Sequence, residues 1–146
     1  MKRIIVPVLV SLLIALALPY LAQGQQGFKL IVNAANPVDS ITKDTANKLF
    51  LKKTKTWDNG DAVDPVDLTV SSDVRGRFSE VVLGRDANSI KSFWQRQIFS
   101  GRGTAPPEKD SESEVITYVR ENRGAIGYVS AGTSVGAGVK VLNLLD

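Results

Sequence analysis

Four residues near the middle of the chain, Ser71, Ser72, Arg75 and Arg77, combine types and spacing suited to holding an anion. Ser71-Ser72-Asp73 is a helix-start signal. The first turn of a helix offers backbone N–H groups without intrahelical partners and a partial positive charge, where an oxyanion is stabilised. Hydroxyls add donors there, and an arginine fork matches two oxygens of a phosphate or carboxylate at once. The same residues also fit a structural reading. Ser72 then caps the helix, the two arginines cover its solvated face with their stems, and Asp73 repels an incoming anion. Both readings stand at this point.

Other residues invite chemistry less strongly. Gly101-Arg102-Gly103-Thr104 could gather backbone N–H groups around an anion, but reads better as a helix stop and connection. Trp57 and Trp94 read as packing anchors rather than stacking platforms. Asp58, Asp61, Asp64 and Asp67 recur every third residue, without the alternation and terminal Glu of a calcium loop. The chain has no His and no Cys, which removes the commonest general base and the usual thiolate nucleophile. No Gly-x-Ser-x-Gly elbow is present. A binding protein is expected rather than an enzyme, with no cofactor and no metal.

Several short elements must position the Ser/Arg group. Phe28–Asn33 alternates like a strand. Ser40 or Thr42 caps a helix running to about Leu51, with Ile41, Ala46, Leu49 and Phe50 as its apolar positions. Pro65 opens a strand over Val66–Val70. A helix from the serines to Leu83 carries Val74, Phe78, Val81 and Val82 on one stripe. A third helix covers Asn88–Phe99, and Ser111 with Glu114 forms a capping box for a fourth, ending near Asn122. Ala125–Val129 and Val139–Leu144 are the last two strands. Strands separated by helices predict an α/β domain with a mainly parallel sheet flanked by helices.

The N-terminus reads as an export signal. Met1-Lys2-Arg3 is basic, Ile4–Leu21 is apolar, and Ala22-Gln23-Gly24 supplies small residues for cleavage after Gly24. The alternative is an uncleaved anchor, although about eighteen residues are borderline for a span. Lys2 and Arg3 leave with the leader, so 16 cations face 15 acids and the +3 of the full chain falls to +1. No nucleic-acid partner is expected from such a balance. The remaining part of the 146-residue chain, from Gln25, is long enough for one domain without disulfides.

Three segments carry a family resemblance. Lys48 to Gly60 places Phe50 before a Trp57-Asp58 turn. Arg77-Phe78 leads to Gly84, then to Phe93-Trp94 and Phe99-Ser100-Gly101. Gly124-Ala125-Ile126-Gly127-Tyr128-Val129 opens a strand. In order and spacing these resemble the phosphate-binding proteins that serve ABC importers, which have the type II periplasmic binding fold. The resemblance covers roughly Val32 to Leu144. It implies a single lobe of that fold, a periplasmic location, phosphate or another oxyanion as ligand, and importer membrane subunits as partners.

Two departures accompany it. The chain from Gln25 has about half the family's usual length, so one wall of a two-lobed cleft is absent and a homodimer could rebuild it. The family's Gly-Ser-Gly-Thr turn aligns with Ser71, Ser72, Asp73 and Val74, so only the Ser is kept, and Leu68 falls near its Arg. Arg75 and Arg77 would then supply charge from new positions. The competing expectation is a protein-interaction or regulatory domain that reuses one lobe and no longer binds phosphate.

Overall fold

Strand β1, Phe28–Asn33, lies at the centre of a five-stranded sheet and is almost fully buried. A computed structural model describes residues 27–146. The expected leader, 1–24, lies outside the described residues. The other elements are β2 (Ser40–Thr42), α1 (Lys43–Phe50), β3 (Asp64–Pro65), β4 (Asp67–Leu68), α2 (Asp73–Phe78), α3 (Ala87–Phe99), β5 (Glu108–Lys109), α4 (Glu112–Glu121), β6 (Ala125–Ser130) and β7 (Val139–Leu145). A π-helical turn, Ser79–Leu83, continues α2.

The sheet runs β2-β7-β1-β6-β3, and β4 and β5 form a separate two-stranded ribbon. The class is α/β, as the alternation of elements predicts. The parallel character holds in part. β2 pairs with β7, β3 with β6 and β4 with β5 in parallel, whereas the two long pairings, β1 with β6 and β1 with β7, are antiparallel. The cause is the return of the C-terminal segment beside β1, a long-range pairing that local patterning does not encode.

Local chemistry explains the helix starts. Thr42 caps α1 by accepting from the Thr45 N–H at 3.1 Å. Ser111 and Glu114 form the reciprocal capping box of α4. Helix α3 begins slightly earlier than Asn88, because Asp86 accepts from the Ser89 N–H at 2.7 Å. Such caps each stabilise a helix by about 1 kcal/mol.

An aromatic cluster packs α1 and α2 against β6. Phe78 stacks on Tyr128 with centroids 3.8 Å apart, and Phe50 meets Phe78 edge-on at 4.6 Å. Two glycines of β6 and its approach allow other close contacts, of α4 with β6 and of β6 with the Trp57 turn. A Cβ at Gly127 would sit 2.9 Å from methyls of both Val115 and Val66, and one at Gly124 would lie 1.8 Å from the Ala62 carbonyl. Trp57 is buried and its indole N–H donates to the Gly124 carbonyl at 2.9 Å. The tryptophan therefore anchors the turn, as expected, and Trp94 is likewise in the core.

Candidate functional site

The Ser/Arg group sits where β4 turns into α2. Val66 and Leu68 are buried, and Asp67 between them is buried too, at 4% exposure. Asp67 and Thr69 donate their N–H groups to the Pro107 and Lys109 carbonyls, which ties β4 to β5. The chain then turns, with the Ser72 N–H donating to the Thr69 carbonyl at 3.0 Å. Ser72 caps α2 by accepting from the Arg75 N–H at 3.3 Å. Ser71 is exposed, with its hydroxyl 3.3 Å from that of Thr69.

Arg75 points inward from α2 and is only 2% exposed. Its Nη1 donates to the Leu68 carbonyl and to the Glu108 carboxylate, both at 2.7 Å. Its Nη2 lies 3.8 Å from Asp67. Tyr128 completes the network, its hydroxyl donating to Asp67 at 2.5 Å and accepting from the Leu68 N–H at 3.2 Å. The guanidinium is thus neutralised by two carboxylates, one buried and one 40% exposed.

The electrostatics follow from burial. Desolvation pushes the Asp67 carboxyl above the usual carboxylate range, against the pull of Arg75 and the Tyr128 hydrogen bond. Desolvation also works against the Arg75 charge, but Asp67, Glu108 and Tyr128 together hold its pKa above the ordinary value. Burial and the neighbouring Asp67 push the Tyr128 hydroxyl up, so it stays protonated and remains a donor.

Arg77 is exposed on the same helix, with its side chain lying over Gly27. The structure therefore brings Ser71, Ser72 and the Arg75 backbone together, and sends the two guanidinium groups in different directions. Arg75 and Glu108 also line a cleft of about 180 Å³ with Lys91, whose apolar walls include Trp94, Ile98 and Pro106. Sequence reasoning did not find Glu108 or Tyr128 as partners of Arg75. One sign was available, an Asp flanked by two buried apolar residues, which demands a buried partner.

The aspartate ladder separates into independent roles. Asp61 pairs with Arg123 at 3.0 Å, Asp64 accepts from the Tyr118 hydroxyl at 2.6 Å, and Asp67 belongs to the arginine network. The Gly101–Thr104 loop is exposed and touches Lys52, whose Nζ lies 3.5 Å from the Thr104 hydroxyl. Among the described residues no helix is long and apolar enough to cross a membrane.

No protein-family model and no curated protein matches the chain. Solved structures do match. An ABC-type phosphate transport receptor from Vibrio cholerae superposes with a TM-score of 0.60 at 22% identity, covering 81% of this chain and 46% of the receptor. A Clostridium perfringens protein with bound phosphate gives 0.63 at 22% identity, covering 81% and 44%. PstS from Borrelia burgdorferi gives 0.62 at 16% identity, covering 82% and 51%. The chain therefore has the fold of part of these binding proteins and spans about half their length.

Proposed function

We propose that this chain is an exported, periplasmic solute-binding-like protein that contacts phosphate or another small oxyanion at the β4–α2 junction. The supporting observation is the fold, which matches half of several phosphate transport and phosphate-bound proteins. The binding groups are Ser71, Ser72, Arg75 and Arg77. Ser71 offers its hydroxyl to solvent. Ser72 uses a lone pair for the cap and keeps its O–H as a donor. Arg75 enters by exchange: the ligand takes the place of the Glu108 carboxylate on Nη1, with Lys91 on the same cleft. Arg77 contributes field from the surface.

The role is binding rather than catalysis, since the junction offers donors and charge and no paired nucleophile and base. Importer membrane subunits are the corresponding protein partners. Processing after Gly24 frees the domain into the periplasm. Sequencing the N-terminus of the exported protein tests this, Gln25 being the expected first residue and Met1 the contrary one. Isothermal titration with phosphate, on the natural protein and on Ser71→Ala and Glu108→Gln variants, tests the site. Binding that weakens in the first variant and tightens in the second supports it, whereas affinity unchanged in both rejects it.

A second reading is favoured by one observation, that the chain spans about half of each neighbour. On that reading the lobe docks another protein, or a second copy of itself that rebuilds a two-walled cleft, and phosphate binding is lost. A monomer by sedimentation that titrates with phosphate argues against it.

A further inference from the structure

Helix α3 ends on two apolar side chains that the fold does not cover. Phe99 is 95% exposed and Ile98 is 53% exposed. The helix buries Ala87, Ile90 and Trp94 on one side. At 100° per residue, Phe99 falls on the opposite side, beside Ser92, Gln95 and Arg96. It therefore points directly away from the core, and leaving such a side chain in water costs the burial free energy that a partner would recover.

The segment around it is itself cationic, although Asp86 shares a cleft with Arg96 and Glu108 shares one with Lys91 and Ile98. Residues 87–107 contain no Asp or Glu and three cations, Lys91, Arg96 and Arg102. All three are exposed, and none is in an ion pair among the described residues. The rest of residues 27–146 carries 13 cations against 15 acids, so the positive charge is local to this segment. Lys52 reaches Thr104 in the loop that follows α3.

We propose that the Ile98–Phe99 end of α3 docks the protein onto an anionic lipid surface. Phe99 enters the headgroup boundary, the half-exposed Ile98, on the Trp94 side of the helix, lies at its margin, and Lys91, Arg96 and Arg102 meet the lipid phosphates. Apolar tips flanked by cations are the chemistry of interfacial attachment. A second copy of this chain is disfavoured as the occupant, because a symmetric contact here would bring the same three cations against each other, with only Asp86 and the Arg75-bound Glu108 nearby to offset them. A protein pocket is disfavoured because almost nothing of this surface frames Phe99, whereas a fluid interface accepts a protruding ring without shape complementarity. This proposal shares Lys91 and the Ile98 cleft wall with the oxyanion reading, and vesicle binding and phosphate titration test the two separately.

Vesicle co-sedimentation tests it. The chain from Gln25 is used, because every described core residue lies between Phe28 and Leu142 and the apolar N-terminal run would itself bind lipid. The protein should pellet with vesicles containing phosphatidylglycerol, not with pure phosphatidylcholine, and should be released by high salt. Phe99→Ala should weaken partitioning about tenfold. Changing Lys91, Arg96 and Arg102 together to Gln should weaken it about a hundredfold. All substituted positions are on the surface, and circular dichroism checks that the variants fold. Absence of pelleting with anionic vesicles at low salt, or equal pelleting of Phe99→Ala, overturns the proposal. So does capture of the protein by an immobilised acidic, leucine-containing peptide without vesicle binding, which would assign the face to a protein partner.

Discussion

Arg75 and Glu108, 33 residues apart in sequence, meet at 2.7 Å and close the junction between the β4–β5 ribbon and helix α2. An arginine that is 2% exposed needs such partners, because a guanidinium without counter-charge is too costly to bury. On the proposed oxyanion reading, Glu108 is the group a ligand must displace from Arg75 Nη1.

Removal of Arg75 should be the most damaging single change at the site. Arg75→Met leaves Asp67 buried with only Tyr128 as donor partner, and breaking a buried pair from one side costs about 3 kcal/mol. Glu108→Gln keeps a hydrogen-bond acceptor and is partly solvated, so it should cost about 1 kcal/mol. Urea unfolding followed by circular dichroism measures both. Equal costs would contradict the asymmetry.

Gly124 tests the packing at the start of β6. A methyl there would lie 1.8 Å from the Ala62 carbonyl, so the Trp57 turn must move. Gly124→Ala should destabilise by about 3 kcal/mol, at the upper end of overpacking costs. Trp57→Phe should expose a gentler loss, because the Gly124 carbonyl still accepts from the Asp64 N–H at 3.0 Å. A thermal melt of Gly124→Ala that matches the natural protein would refute the close approach.

Glu112 governs the acid side of stability. Desolvation opposes its charge, but hydrogen bonds from the Ser130 N–H and the Thr133 hydroxyl hold its carboxyl below the ordinary value of 4.5. A carboxylate with a depressed folded pKa contributes stability above its unfolded value, and that contribution is lost as pH falls through the folded one. Asp67 has the opposite sign, since its raised pKa makes the folded state relatively more stable when it is protonated. The Glu112 share of stability should therefore be lost below pH 4.5, so that the difference in denaturant midpoint between the natural protein and Glu112→Gln narrows as pH falls through that range.

Much of this organisation is legible in the sequence, and the exceptions have physical causes. Strand β1, the capping box at Ser111 and the Phe78 stripe follow from local patterning, as does the cap at Ser72. Of the expected strand Val66–Val70 only Asp67–Leu68 is strand, pairing with β5, while the residues just before it, Asp64–Pro65, pair with β6. Strands β2 and β5, of three and two residues, exist only through distant partners and carry no periodic signal of their own. At the site, the types and positions of Ser71, Ser72, Arg75 and Arg77 were readable, as was the capping role of Ser72. The inward turn of Arg75 was not, because it depends on Glu108 arriving from a loop 33 residues away.

Isothermal titration of the protein from Gln25 with phosphate at low ionic strength decides whether the β4–α2 junction binds an oxyanion. Saturable one-site binding is expected, with Kd of about 1 μM or tighter, roughly −8 kcal/mol, and tighter binding when Glu108→Gln removes the charge that competes for the Arg75 guanidinium. No heat of binding in either the natural protein or the variant would contradict it, and would leave this lobe as a scaffold for a protein partner.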